Sequence, residues 1–166
     1  MEIIVRSKYN PFPMAKSENT DLVSNKRATF NYEIIETFEA GIVLEGTEIK
    51  SLRNHGGSLQ EAYIKVFDDA LWLLNASIAP YRFGNIHNHE EKRDRKLLMH
   101  KREIAYFKTQ LNEKGLTAIP LAMYLKNGRV KVKIATARGK KNIDKRETIK
   151  ERDEKRTMDR ARKEHL

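Results

Sequence analysis

The residues best suited to metal chemistry are His87-Asn88-His89, beside Glu90, Glu91 and Asp94. They lack the i,i+4 pair of histidines that puts two imidazoles on one helical face, and a polar surface loop accounts for them better. Ser58 has no Gly-x-Ser-x-Gly elbow around it. Gly56-Gly57 could cradle a phosphate, but no Walker or dinucleotide pattern accompanies it, and two glycines after a helix commonly end it. Asp68-Asp69 lies between two apolar runs, where aspartate favours a turn rather than acid–base work. With no cysteine there is no disulfide, thiolate metal site or Cys nucleophile, which fits a reducing cytoplasm. No enzyme, metal site or cofactor is expected.

The cations are more informative. The 166 residues carry 33 Lys and Arg against 23 Asp and Glu, a net charge of +10, and nucleic acid is the commonest polyanionic partner of such a chain. In Arg129-Val130-Lys131-Val132-Lys133-Ile134 every second residue is cationic. On a strand, same-face residues lie about 6.6 Å apart, so Arg129, Lys131 and Lys133 form a ribbon about 13 Å long, comparable with phosphate spacing. Ordinary alternation, charged outside and apolar inside, gives the same pattern. Lys92-Arg93-Asp94-Arg95-Lys96 leads toward an expected helix whose N–H groups add positive potential, and Tyr81 and Phe83 nearby could stack on unpaired bases. From Arg138 to Leu166 there are 12 Lys and Arg, 7 Asp and Glu and no aromatic residue. Such a tail cannot collapse alone, although Glu151→Lys155 and Asp159→Lys163 are well-oriented helical pairs. It is suited to become helical against a polyanion, and a solvated solubility tail is the plainer reading.

Elements must position these groups. Met1–Ser24 reads as a poorly ordered extension, broken at Asn10-Pro11-Phe12-Pro13. Phe30, Tyr32 and Ile34 alternate as in a strand, Glu39-Ala40-Gly41 reads as a bend, and Ile42-Val43-Leu44 as a short strand. Thr47 is placed to cap a short helix through Arg53, with Lys50 and Arg53 sharing one face. Ala62–Phe67 and Ala70–Ile78 read as a hairpin, and Pro80–Glu91 as a loop. Leu97, Ile104 and Leu111 repeat every seven residues, which predicts a long helix from about Asp94 to Gly115. Thr117–Leu125 and Arg129–Ala137 form a second hairpin around Asn127-Gly128, the strongest turn signal in the chain. This order predicts a mainly β fold with flanking helices: a small antiparallel barrel of the oligonucleotide-binding (OB) type over 25–137, with a basic tail over 138–166. A two-layer α+β sandwich is the alternative. No apolar run approaches the roughly 20 residues of a membrane helix.

Several ordered blocks resemble the SmpB (small protein B) family, tmRNA-binding proteins of bacterial ribosome rescue. They are 25–28 (Asn-Lys-Arg-Ala), 38–53 (from Phe38-Glu39-Ala40-Gly41 through Ser51-Leu52-Arg53), Pro80-Tyr81, Arg95-Lys96-Leu97-Leu98, Lys101-Arg102-Glu103-Ile104, 126–132, 137–141 and Asp144-Lys145-Arg146-Glu147. The resemblance implies an OB-type barrel that binds the tRNA-like end of tmRNA and stands in for a missing anticodon arm. It implies delivery of the alanyl form, with elongation factor Tu and GTP, to ribosomes stalled on broken messages. It also implies a tail, disordered when free and helical on the ribosome, that passes the decoding centre into the empty mRNA channel. A monomeric cytoplasmic adaptor is expected; a general single-stranded RNA chaperone using the same barrel is the rival.

Asn25, Glu39 and Leu98 match family positions used in RNA binding. With Lys26, Arg27, Lys50, Arg53, Arg95 and Arg129, and with Lys96, Lys131 and Lys133 added on charge alone, they make up the candidate RNA surface. A carboxylate repels phosphates, so Glu39 is expected to orient a basic neighbour or to accept from a base or 2′-OH. Arg138, Gly139, Lys140, Lys141, Asp144, Lys145 and Arg146 match the tail motif needed after RNA binding, with Asp144 directing neighbouring cations or capping the helix. Two departures stand out: Ile143 sits where the family often has His or Tyr, and the N-terminal extension is longer than usual.

Overall fold

Turn residues in left-handed backbone conformations set the two hairpins. Asp68 and Asp69 have φ of 49° and 53°, Asn127 and Gly128 of 51° and 72°, the paired positive values that a two-residue hairpin with right-handed twist requires. The computed structural model describes Asp21–Glu164, so most of the expected extension lies outside the described residues. The elements in order are β1 (Asp21–Ser24), α1 (Ala28–Asn31), β2 (Tyr32–Ile42), α2 (Gly46–Arg53), β3 (Gly57–Ser58), β4 (Tyr63–Phe67), β5 (Ala70–Leu74), β6 (Ser77–Ile78), β7 (Arg95–Leu98), α3 (Lys101–Lys114), β8 (Thr117–Lys126), β9 (Arg129–Gly139) and α4 (Asn142–Glu164).

Seven strands form one antiparallel sheet in the order β1-β8-β9-β2-β7-β5-β4, and β3 pairs with β6 apart from it. The fold is therefore mainly antiparallel β with flanking helices. The expected closed barrel is not formed: β4 comes up against β8, but among the described residues no hydrogen-bonded ladder joins the two ends of the sheet. Inward-facing Ala40, Leu71, Leu73, Leu97, Met123, Val132 and Ile134 make the core, closed by Leu52 of α2 and Phe107 of α3. Phe38 meets Phe107 edge-on with centroids 5.2 Å apart. Bulges between Ile34 and Glu36 and between Pro120 and Ala122 shift the register. Beyond them Ala28, Ile119, Ala135 and Ala137 form a second cluster, and β9 is buried on both faces from Ile134 to Ala137.

Several expectations need correction. Leu22 and Val23 are buried and pair β1 to β8, so the folded body begins at Asp21 rather than after the extension. Thr29–Asn31 lie in the short helix α1, not in a strand. Glu39-Ala40-Gly41 does not bend; β2 runs straight through it. Gly41 serves close approach instead, because a Cβ there would come 3.2 Å from Leu98 Cβ on β7. Glu45, not Thr47, caps α2, in a capping box with Glu48. That helix ends at Arg53, and the left-handed residue after it is His55 (φ 59°), while Gly57 enters β3. The long helix starts at Lys101, with His100 as its cap. Leu97, the first member of the seven-residue repeat, belongs to strand β7. β9 continues through Gly139, two residues past the expected boundary.

Candidate nucleic-acid interface

Strand register assembles the site. Across the Asn127-Gly128 turn, Lys126 faces Arg129 and Tyr124 faces Lys131; on the other side of β9, Lys131 faces Gly41 and Lys133 faces Glu39. Gly41 in turn faces Leu98 of β7. Directly opposed residues share a face, so Tyr124, Lys131, Gly41 and Leu98 form one row across four strands. Two residues along β7, Lys96 opposes Trp72 of β5, which opposes Lys65 of β4. That side of the sheet thus sets the cations Lys126, Arg129, Lys131, Lys133, Lys96 and Lys65 around Leu98 and the half-buried Trp72, while Tyr124, on the same side, is itself buried. Leu98 is 52% exposed, an apolar side chain left open among cations.

Glu39 organises this face as expected of a residue that orients its neighbours. Tyr124 Oη donates to its Oε2 at 2.5 Å, and Lys126 Nζ lies 3.0 Å from both oxygens. Burial pushes the carboxyl up, but these hydrogen bonds and the charges of Lys126 and Lys131 outweigh it and hold the group below its ordinary range. Burial and the adjacent carboxylate push the Tyr124 hydroxyl in the opposite direction, well above its ordinary value. Glu39 therefore stays ionised and keeps Tyr124 protonated, fixing an aromatic ring beside a cationic ribbon. The Tyr124 ring is buried, so its part is to fix Glu39, and through it Lys126, beside cations that can meet phosphates.

Other candidates separate. Asn25 is buried: its Nδ2 donates to the Leu59 carbonyl at 3.0 Å and the Pro120 carbonyl at 3.1 Å, tying β1 to its neighbours. Lys26, Arg27 and Arg53 are exposed, and Lys50 lies over the Tyr81 ring at 5.6 Å. Arg95 is fully buried and cannot present its charge to RNA. All five of its donors are engaged: Nε and Nη2 on Glu48 Oε1 at 2.8 Å, Nη1 on the Ala76 and Arg93 carbonyls, Nη2 also on the Glu91 carbonyl. His87 is exposed, whereas both ring nitrogens of His89 are used, Nδ1 with Thr47 Oγ1 and Nε2 with the Ile78 carbonyl, each at 2.9 Å. A carbonyl only accepts, so Nε2 donates to Ile78. His89 is a structural pin.

The tail motif straddles two elements. Arg138 and Gly139 pair with Glu33 and Tyr32 as the last residues of β9, and the Lys140 amide donates to the Asn31 carbonyl at 2.9 Å. The Asp144 carboxylate accepts the Lys141 amide at 3.1 Å, so Asp144 caps α4. No described residue of α4 is buried; it meets the body at α1, where Arg152 lies 5.9 Å from the Phe30 ring, and Lys140 Nζ donates to Thr148 Oγ1 at 3.3 Å. The ion pairs on α4 join Lys150 to Glu154 and Asp153 to Arg156, not the two pairs expected from spacing. Lys141, Arg146 and Ile143 are exposed, and Lys145 is half-buried.

Sequence reasoning missed Tyr124, Lys126, Trp72 and Lys65. The first two were within reach, because a two-residue turn fixes the register of the hairpin it closes. Trp72 and Lys65 needed the pairing of β5 with β7, which no local signal announces. Each phosphate contact contributes about 0.7–0.9 to the salt dependence of RNA binding. Lys131→Ala should accordingly flatten the slope of log K against log salt by about that amount in binding titrations.

Residues 22–164 match the family described as SmpB protein. An SsrA-binding protein of Protochlamydia amoebophila is 66% identical over 149 residues, covering 90% of this chain and 97% of that one. One from Chlamydia pneumoniae is 58% identical over 86% of this chain and 95% of its own length, and one from Trichodesmium erythraeum 50% identical over 92% and 100%. A chain of the solved structure "tmRNA-SmpB: a journey to the center of the bacterial ribosome" superposes with a TM-score of 0.61 at 44% identity, over 72% of this chain and 84% of that chain. With a match along nearly all of its described length and relatives this similar over this much of both chains, the protein belongs to the SmpB family.

Proposed function

We propose that this protein is the RNA-binding adaptor of trans-translation. Its β body, an open sheet curled in the manner of an OB-type fold, binds the tRNA-like domain of tmRNA. Its tail, loosely held when free, enters the vacant mRNA channel of a stalled ribosome beyond the decoding centre. The alanylated RNA is brought there with elongation factor Tu and GTP, in the cytoplasm, by a single copy of the protein that acts as an adaptor and not as an enzyme. The observation that carries this reading is the row Tyr124–Lys131–Gly41–Leu98 with Glu39 beside it on the same face. It joins two family RNA-binding positions, Glu39 and Leu98, to the cationic ribbon Arg129, Lys131 and Lys133 on a single face. Lys96 extends the surface; the exposed Lys26, Arg27, Lys50 and Arg53 stand on other elements as further cations for the RNA, and buried Asn25 holds the end of β1 in place; Arg95 is left out because it is buried. The names of the relatives and of the solved neighbour support the same RNA and the ribosome as partners.

The half-buried Trp72 among the cations favours one other reading, a sequence-tolerant single-strand binder, because stacking accepts any base. Gel-shift competition decides between them. Unlabelled RNA of equal length and unrelated sequence should fail to displace the labelled tRNA-like domain at concentrations where the unlabelled domain itself displaces it fully. Equal competition by both RNAs would replace the adaptor with a general chaperone.

A further inference from the structure

The segment 79–94 makes no helix or strand before β7, yet it is firmly braced. Its ends meet where the Ile78 amide donates to the Glu91 carbonyl at 3.0 Å, and His89 is buried against Thr47 and Ile78. Asn88 closes the inner turn: Oδ1 accepts the Tyr81 amide at 3.2 Å and Nδ2 donates to the Tyr81 carbonyl at 2.9 Å. A Cβ on Gly84 would sit 2.7 Å from that Nδ2, so the turn is packed tightly enough to need glycine. This is a compact surface loop closed on itself, a class frequently used for function.

What the brace presents is apolar. Phe83 is 75% exposed and Ile86 99%, and Phe83 stands edge-on to Tyr81 with ring centroids 5.8 Å apart. Cations flank both rings, Lys50 Nζ at 5.6 Å from the Tyr81 centroid and the Arg82 guanidinium at 5.8 Å from that of Phe83. Folding leaves Phe83 and Ile86 open to water, an unfavourable arrangement that nothing in the core requires. Rigidly held aromatics beside fixed cations suit an unpaired nucleobase with its phosphate, whereas an apolar protein groove would not need Lys50 and Arg82 beside the rings.

We propose that Phe83, supported by Tyr81 and Ile86, is a second RNA subsite that stacks one unpaired base, with Lys50 and Arg82 receiving its phosphate. The subsite rests on the adaptor reading but belongs to α2 and the 79–94 loop rather than to the β8–β9–β2–β7 face. Two measurements on the full chain with the tRNA-like domain of tmRNA test it. Phe83→Ala should weaken binding by about tenfold, the scale of one lost base stack, with the salt slope unchanged. Phe83→Trp should retain affinity, and its added emission over the wild type should be quenched by saturating RNA. Both results are required. Unchanged affinity in Phe83→Ala, or emission indifferent to RNA, overturns the subsite and points to a protein partner for the exposed rings. Failure of Lys131→Ala to change the salt slope would instead count against the sheet face, so the two ideas fail separately.

Discussion

A chain ending at Lys141 should bind the tRNA-like domain of tmRNA with nearly full affinity and support no peptide tagging on stalled ribosomes. The place of the cut matters. Ending at Ala137, the boundary suggested by the loss of aromatics, would remove Arg138 and Gly139 from the β2–β9 ladder and the Lys140 amide from Asn31. Such a protein would lose sheet as well as tail, and its failure would say little about either. Ending at Lys141 removes α4 alone, which buries no described residue and leans on the body at α1. A highly charged isolated helix is marginal in water, so α4 contributes little to the stability of the body. Binding should therefore survive, since the cationic sheet face is untouched. Ile149→Pro separates helix from charge: it keeps every cation but breaks the helix at a cost of about 3 kcal/mol. Tagging should fall sharply in this variant as well, and ribosome toeprinting with truncated and full-length messages would show whether entry into the channel is lost. Parallel loss of RNA affinity and tagging in the Lys141 truncation would mean that body and tail act as one unit.

What was legible in the sequence was local. Asn127-Gly128 and Asp68-Asp69 announce their hairpins because few residues tolerate the backbone angles such turns need, and the strands around them follow. The alternating cations of β9 do face solvent, with Val130, Val132 and Ile134 beneath them. The misreadings that bear on the site share one cause, contacts distant in sequence. Leu97 fits the repeat of Ile104 and Leu111, yet it is an inward residue of β7, held between β2 and β5. Once β7 is a strand, alternation turns Arg95 inward and Lys96 outward, and a cluster that reads as uniformly basic divides into a buried half and an exposed half. Glu39 shows the same limit. Its role as an orienting carboxylate could be argued from charge, but its partners Tyr124 and Lys126 lie 85 and 87 residues away.

Arg95→Met should be the most destabilising single change considered, at about 3–5 kcal/mol in denaturant unfolding, because it strands a buried carboxylate. Glu48 and Arg95 are both wholly screened from solvent. Glu48 also caps α2 through the Glu45 amide at 2.7 Å and receives Arg93 Nη2 at 2.8 Å, so one carboxylate joins α2 to the strand β7 and the loop before it. Removing Arg95 leaves it with Arg93, a partly exposed partner, and opens the Ala76, Arg93 and Glu91 carbonyls that Arg95 satisfied. Replacing the pair together, Glu48→Leu with Arg95→Met, should recover much of the loss, since two apolar groups need no partners. Acid gives an independent reading. Burial raises the Glu48 carboxyl, but bonds from Arg93 and the Glu45 amide, with the charges of Arg95 and Arg93, carry it below its ordinary 4.5. A carboxylate depressed in the folded state stabilises the protein above its unfolded value, and that contribution disappears as pH falls from about 4.5 through the lower folded value. Glu48→Gln should thus be less stable at neutral pH and show a flatter decline on acidification than the wild type. Glu39 acts in the same direction, but it is partly exposed and solvent screens its effect. An unchanged acid limb in Glu48→Gln would show that the ion pair joining α2 to β7 does not govern the acid sensitivity of the fold.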